Sequence, residues 1–114
     1  MAGRYDFVLK QGSTFVIDVT WKDSESVPVD LTGFTARMQI RSEDVEGPVV
    51  IELTTENDGI TITPETGEIR IVISAEESDK ADMKKCVYDL ELVKDDFVER
   101  ILEGAIRVSL SVTR

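Results

Sequence analysis

The sequence predicts an all-β protein, and two observations carry this prediction. First, apolar residues recur at every second position in short segments, as in Phe15, Ile17 and Val19. Because neighbouring side chains of an extended strand point to opposite faces, each such segment is expected to form a strand with one buried face. Second, clusters of Gly, Pro, Asp and Asn separate the segments at short intervals, as turns do. The same period of two recurs in Ala36/Met38/Ile40, Ile69/Ile71/Ile73, Tyr88/Leu90/Leu92 and Ile106/Val108/Leu110/Val112.

Strands in the first half of the chain are expected over Tyr5–Lys10, Thr14–Lys22, Thr35–Ser42 and Val49–Thr54. Gly12 separates the first two, because glycine adopts backbone angles that other residues resist. Pro28 cannot donate to a sheet ladder, so Val27–Val29 is expected to be an edge segment at most. Asp30–Gly33 then predicts a tight turn, in which the Asp30 side chain accepts hydrogen bonds from the following backbone amides.

Strands in the second half are expected over Ile60–Thr63, Glu68–Ser74, Lys85–Lys94 and Phe97 to about Val112. Asp58-Gly59 predicts a hairpin-type turn, because this pair favours positive backbone angles. Pro64–Gly67 predicts a second turn, between the next two strands. Ser74 and Glu77 then match a helix capping box, which predicts one short helix near residues 75–83.

The last predicted strand changes its pattern along its length. Ile101 and Ile106 are both apolar, but their positions differ by an odd number, so a regular strand would point them to opposite faces. An extra residue in one strand of a pair resolves such a conflict, and Gly104 is expected to lie at this β-bulge.

Length and turn spacing favour one domain over residues 1–114. Short strands separated by turn signals, with one helical turn between late strands, predict an immunoglobulin-like antiparallel β-sandwich of about seven to eight strands. A small closed barrel is the alternative that the pattern leaves open.

The charge of the chain restricts its expected partners. Asp and Glu number 23 against 13 Lys and Arg, which gives a formal net charge of −10. Binding to phosphate backbones or to anionic lipid requires clusters of basic residues, so neither nucleic acid nor a membrane is an expected partner. No apolar run has the length of a membrane-spanning helix, and the N-terminal residues lack the apolar stretch of a secretory signal.

The sequence offers few residues for catalysis, since it contains no histidine and a single cysteine, Cys86. Without histidine, Ser-His-Asp and Cys-His catalysis and the commonest metal ligand are excluded. Cys86 shares its parity with Tyr88 and Leu90 and is expected to face the core. Acidic pairs such as Asp95-Asp96 fall in predicted turns, where solvated carboxylates are ordinary. We therefore expect a protein that is not an enzyme, with no catalytic residue, no cofactor and no metal site.

Three segments follow one another in a recognisable order. They are Gln11-Gly12-Ser13-Thr14-Phe15, then Asp30-Leu31-Thr32-Gly33-Phe34-Thr35-Ala36-Arg37-Met38-Gln39, and finally Arg100-Ile101-Leu102-Glu103-Gly104 continuing to Val112-Thr113-Arg114. This arrangement resembles small structural proteins of tailed bacteriophages, and it is similar to the N-terminal β-sandwich domain of phage upper-baseplate proteins. Baseplate proteins continue into a further region that oligomerises them, so an assembly of the present chain is expected to use the sandwich itself.

The resemblance implies a non-catalytic virion protein, made in the host cytoplasm and located in the tail, baseplate or neck or on the capsid surface. Its implied partners are other virion proteins or further copies of the same chain. Such contacts are expected at a sheet edge, because an unpaired edge offers its amides and carbonyls to another chain. The candidate edge residues are Val108, Leu110, Val112 and Arg114, and the segment around Pro28 is a second candidate.

The alternative function is a module that binds carbohydrate or a host surface through loops around Ser24, Asp44 or Asp58. Calcium bound in a loop also stays open. Trp21 could stack on a sugar, but it continues the inward register of Val19 and is expected to pack in the core or at its rim.

Overall fold

The computed structural model describes residues 3–44 and 46–112. The strands in these residues are β1 (Gly3–Arg4), β2 (Phe7–Lys10), β3 (Phe15–Thr20), β4 (Thr35–Ser42), β5 (Val49–Thr54), β6 (Ile60–Thr63), β7 (Glu68–Ile73), β8 (Lys85–Lys94) and β9 (Phe97–Ser109). A 3-10 helix (Pro64–Thr66) joins β6 to β7, and the short helix α1 (Ala75–Ser78) follows β7. No helix within the described residues is long and apolar enough to cross a membrane.

The strands form two sheets, as the all-β sandwich prediction requires. The large sheet has the order β9-β8-β4-β5, with β1 and β2 both paired to the outer side of β9, and the small sheet has the order β3-β7-β6. This order corresponds to the G-F-C-C′ and B-E-D strands of immunoglobulin-like sandwiches. The pairing is antiparallel, as predicted, except that β1 and β2 run parallel to β9.

The two sheets pack against each other around one apolar core. The predicted period of two is confirmed, since alternate residues of β4, β7 and β8 are buried. Side chains of both sheets contribute, and the largest that are fully buried are Leu9, Leu31, Met38, Ile40, Ile51, Ile60, Ile69, Ile71, Ile73, Leu90, Leu92 and Ile106. Trp21 is half-buried and packs against this cluster, in agreement with its expected place at the rim.

The first predicted strand, Tyr5–Lys10, forms only from Phe7 onward as β2, and a further short strand, β1, precedes it. A local exchange of hydrogen-bond partners separates the two. The Tyr5 amide donates to the Glu103 carbonyl (2.9 Å), but the Tyr5 carbonyl accepts from the Tyr88 hydroxyl (2.5 Å). The Ala105 amide donates instead to the Asp6 carboxylate (2.8 Å). A side chain therefore replaces one backbone acceptor, and the parallel register continues unchanged on both sides of the break.

The predicted bulge in β9 exists, but Ile101 occupies it and Gly104 does not. In the pairing of β8 with β9, Leu90 lies opposite Leu102 and Glu91 lies opposite Arg100, which leaves Ile101 as the extra residue. The bulge turns Ile101 into the core. Gly104 serves a different purpose, because a Cβ atom at this position would lie 2.0 Å from the Tyr5 carbonyl oxygen. Glycine is therefore required where the first strand crosses closest to β9.

The predicted helix is shorter than expected. Its cap is confirmed, since the Glu77 amide donates to the Ser74 hydroxyl (3.1 Å). The helix ends after one turn because the amides of Lys80 and Ala81 bond three residues back, which tightens the chain, and Ala81 is buried. The Ser78 hydroxyl also donates to the Ser13 carbonyl (2.7 Å), which anchors this turn to the β2–β3 connection.

The turn after β5 is not the predicted hairpin, because β5 pairs with β4 in the large sheet and β6 pairs with β7 in the small sheet. Asp58 does have the predicted positive backbone angle (φ 67°). Asn57 organises the turn, since its side-chain oxygen Oδ1 accepts hydrogen bonds from the backbone amides of Thr54 and Gly59 (2.9 Å each). The Pro64–Gly67 turn connects two paired strands, as predicted.

Candidate interaction surfaces

The structure does not place Val108 at a sheet edge. Val108 is buried and lies opposite Leu9 of β2, while its amide donates to the Lys84 carbonyl (2.9 Å) on the other side. The prediction of an edge at Val108 is therefore wrong, and the reason is that the N-terminal strand covers β9. Leu110 and Val112 are exposed but lie beyond the end of β9, and Arg114 lies outside the described residues.

The segment around Pro28 belongs to neither sheet. Pro28 forms an isolated bridge with Lys22, and Val27 beside it is exposed. This position agrees with the expectation of an edge segment at most. The outer strands of the described sheets are instead β1, β2 and β5 in the large sheet and β3 and β6 in the small one.

Residues in the three segments that carry the resemblance make contacts that connect separate parts of the sandwich. The Gln11 side chain is buried, donates to the Asp79 carbonyl (3.2 Å) and accepts from the Ser111 amide (2.9 Å). Asp30 accepts from both the amide (2.9 Å) and the hydroxyl (2.6 Å) of Thr32, as its turn was predicted to do. Gly104 admits the Tyr5 carbonyl. These residues therefore hold the fold rather than line a site.

The solvent-facing side of the large sheet is concave and strongly charged, and we call it the charged face. The concavity has a volume of about 590 Å³. Arginine and carboxylate side chains alternate across it, as in the contact between Arg37 Nε and Glu91 Oε1 (2.8 Å). The charged side chains that line it are Arg4, Arg37, Arg41, Arg100, Glu52, Asp89, Glu91 and Glu103, which is four of each sign. This face is therefore neutral on a protein whose net charge is −10.

Hydrogen bonds connect the polar side chains of the charged face into rows. Gln39 donates to Glu52 (2.8 Å) and accepts from Arg41 (2.9 Å), and Arg41 also donates to the Gly47 carbonyl (2.9 Å). Exposed ion pairs of this kind add little to stability, and their pattern of signs mainly determines which partner surface fits. These hydrogen bonds and ion pairs therefore hold the polar side chains of the charged face in a fixed arrangement.

Asp89 in the charged face gives a test of this electrostatic arrangement. Burial raises the pKa of Asp89, the nearby Glu91 raises it further, and Arg100 opposes the change. A carboxyl with a raised folded-state pKa stabilises the fold at low pH, and this contribution is lost as the pH rises through that pKa. Asp89→Asn is therefore expected to gain stability relative to the unchanged protein between about pH 4 and pH 7, measured by urea unfolding.

Asp18 on the small sheet provides the matched control. Its hydrogen bond with Arg70 (2.8 Å) lowers the pKa of Asp18, so ionised Asp18 stabilises the fold above the pKa of the unfolded chain. Asp18→Asn should therefore lose stability relative to the unchanged protein over the same pH range. If the two variants both gained or both lost stability over this pH range, burial would not be the main cause of the raised pKa of Asp89.

A second surface lies at the tip of the β8–β9 hairpin, where apolar side chains remain exposed. We call Phe34 and Phe97 the hairpin-end patch. Phe97 is 53% exposed. Val98 is 49% exposed as well, but as the next residue of β9 it points to the opposite face of the hairpin. The rings of Phe34 and Phe97 meet edge to face with centroids 6.1 Å apart, and Lys94 Nζ lies 5.4 Å from the Phe34 centroid. Both contacts order the aromatic side chains at the surface.

A groove of about 300 Å³ begins at the hairpin-end patch, where Phe34 forms part of its wall. Leu31, Ile60 and Ile62 supply the apolar part of the remaining wall, and Asp58 stands at the groove as well. The Leu31 amide donates to the Pro64 carbonyl (2.9 Å), which joins the β3–β4 loop to the small sheet.

Four acidic residues lie in the loops at this end of the sandwich, and we call Asp30, Asp58, Asp95 and Asp96 the acidic rim. All four are exposed. The Thr32 side chain and amide lower the pKa of Asp30, and the nearby Lys94 acts in the same direction. Asp30 is therefore an anion close to the patch at neutral pH.

The loops of the alternative carbohydrate hypothesis do not form one site. Asp44 precedes β5 and Asp58 follows it, so this strand separates the two loops. Ser24 lies in the separate β3–β4 connection. Among the described residues, no group of three or more Cys, Asp or Glu side chains could hold a metal ion.

Cys86 lies in the core, as its parity predicted. Burial raises the pKa of the Cys86 thiol, and the thiolate is the reactive form. We expect iodoacetamide to modify the folded chain at neutral pH at least about tenfold more slowly than the urea-unfolded chain. Mass spectrometry of the labelled protein measures both rates, and rapid labelling of the folded chain would contradict the buried position.

The sequence matches no protein-family model, and no curated protein is significantly similar to it.

Proposed function

We propose that this chain is a non-catalytic structural protein of a tailed-bacteriophage particle, located in the tail, baseplate or neck or on the capsid surface, and that it acts through contacts with other proteins. The observation that carries the proposed mode of action is the hairpin-end patch. Exposed aromatic side chains at the end of a highly charged sandwich are typical of a surface that another protein covers. The origin in a phage particle rests on the resemblance of the three sequence segments.

The charged face supports the same mode of action. Its arginines and carboxylates are paired with one another, as in Arg37 with Glu91. A surface of this kind selects a partner by matching alternating charges over a wide area. The sandwich therefore offers two surfaces of different chemistry, one neutral and polar and one apolar with an acidic rim, as a component between two neighbours would need.

Mass spectrometry of purified particles tests the proposal. Particles from the phage or lysogen that encodes the chain are purified by gradient centrifugation and compared with the infected-cell lysate. We expect peptides of this chain in the particle fraction at a fixed ratio to other virion proteins, and the ratio should stay constant through a second gradient. Recovery from the lysate alone, with none in the particles, would contradict the proposal.

A further inference from the structure

We propose that the hairpin-end patch binds a basic segment of a different protein, and that an apolar side chain of this segment enters the adjoining groove. This inference deepens the proposed function and rests on its premise of protein–protein contact. It concerns the end of the sandwich formed by the β3–β4 loop, the β5–β6 turn and the β8–β9 hairpin.

The patch is suited to bind because its side chains are ordered before any partner arrives. Phe97 begins β9 and lies opposite Lys94 of β8, so the sheet fixes its backbone. The ring of Phe97 also contacts Phe34. Aromatic anchors held in this way lose little conformational entropy on binding, which is why such residues dominate interface energies.

The groove beside the patch offers a place for one apolar side chain of the partner. Its volume of about 300 Å³ lies at the lower end of the range for binding pockets. Leu31 and Ile60 are buried, whereas Phe34 and Ile62 are partly exposed and present apolar surface to the groove. A Leu, Ile or Met side chain placed there would remove apolar surface of both proteins from water.

Charge determines which partner fits. Asp95 and Asp96 directly precede Phe97 in the hairpin turn, and Asp58 lines the groove. Lys94, which lies over the Phe34 ring, is close enough to Asp30 to lower its pKa. A second copy of this chain would bring an identical acidic rim against the first, and each copy carries a net charge of −10. Repulsion disfavours this arrangement, whereas Lys and Arg side chains flanking an apolar anchor would pair with the rim. The partner is therefore a basic segment of another protein.

A binding experiment on the purified chain tests the inference without particles. The ¹⁵N-labelled protein is titrated with a short synthetic peptide in which arginine and leucine alternate, and with a matched peptide of glutamate and leucine. We expect the basic peptide to shift the amide resonances of Phe34, Lys94, Phe97 and Val98, and the acidic peptide to shift none of them. Shifts spread over the whole acidic surface, or confined to the charged face, would overturn the inference.

Two variants separate apolar binding from general attraction to an acidic protein. Phe97→Ser is expected to weaken binding of the basic peptide by about tenfold, as loss of an aromatic anchor does. Val16→Ser is the matched control, because Val16 is 49% exposed on the small sheet, and it should change the affinity less than about twofold. The double variant Asp95→Asn/Asp96→Asn should weaken binding and reduce its salt dependence. Equal affinities of the Phe97→Ser and Val16→Ser variants would overturn the inference.

Photo-crosslinking within the particle identifies the partner. The photoreactive residue p-benzoylphenylalanine replaces Phe97, or Val16 as the control, and particles containing each variant are irradiated. We expect crosslinks from position 97 to a Lys/Arg-rich segment of a different virion protein, and none to that segment from position 16. Crosslinks from position 97 to a second copy, or no crosslink in particles that contain the chain, would overturn the inference. Absence of the chain from particles would contradict the proposed function and leave the peptide experiment as the test of the inference.

Discussion

Gly104→Ala is expected to lower the free energy of unfolding by about 3 kcal/mol or more, the upper range for overpacking a close contact. The added Cβ atom would lie 2.0 Å from the Tyr5 carbonyl oxygen, so one of the two backbones must move. Movement of Tyr5 would break its hydrogen bond from Tyr88 (2.5 Å) and pull the first strand away from β9. Urea unfolding followed by tryptophan fluorescence and circular dichroism measures the loss.

Gly3→Ala is the matched control for this variant. Gly3 lies in β1 on the same pair of parallel strands, but the nearest atoms to an added Cβ are 3.7 Å away, which is ordinary contact. Its effect should remain within about 0.5 kcal/mol, as for most surface substitutions. A similar loss for Gly3→Ala and Gly104→Ala would mean that general glycine replacement, and not the approach of Tyr5, determines the result.

Ile71→Ala is expected to cost about 3–4 kcal/mol of unfolding free energy, within the range for truncating a buried isoleucine. Ile71 is fully buried in the central strand of the small sheet and lies between Ile17 and Ile60 on the neighbouring strands. Loss of its side chain leaves a cavity beneath a sheet of only three strands, which has little freedom to close it. Urea unfolding measures this loss as well.

Val16→Ala is the control for Ile71→Ala. Val16 lies in the neighbouring strand β3 but points to solvent, so its truncation should change stability by less than about 0.5 kcal/mol. Comparable losses for the two variants would contradict the assignment of the inner and outer faces of the small sheet. The comparison also verifies that Val16 can serve as a neutral site in the binding experiments.

The hairpin-end patch shows why the candidate site was harder to predict than the fold. The sequence predicts that Phe97 and Val98 begin a strand, but the strand pattern alone does not show that both side chains are exposed. Phe34 lies more than sixty residues earlier in the chain and meets Phe97 only because β4 and β8 are neighbours. The useful signal was the pair of adjacent apolar residues after Asp95-Asp96, since a regular strand buries only every second residue.

Local signals predicted several elements with their observed limits. The strands Val49–Thr54 and Lys85–Lys94 agree at both ends with β5 and β8, because turn residues bound each of them. The cap at Ser74 and the turn at Asp30 were also correct, since both depend on hydrogen bonds between residues close in sequence. The change of parity in β9 was correct, although its position was not.

Residues close together along the chain were enough to predict most of the strands, their buried faces and the acidic exterior, because these properties follow from the local pattern. The folded structure was needed to show that the N-terminal strand pairs in parallel with β9, that Ile101 occupies the bulge, and that β5 and β6 belong to different sheets. Each of these features depends on contacts between distant segments. Close approach of backbones, as at Tyr5 and Gly104, selects among pairings that local propensity leaves equal.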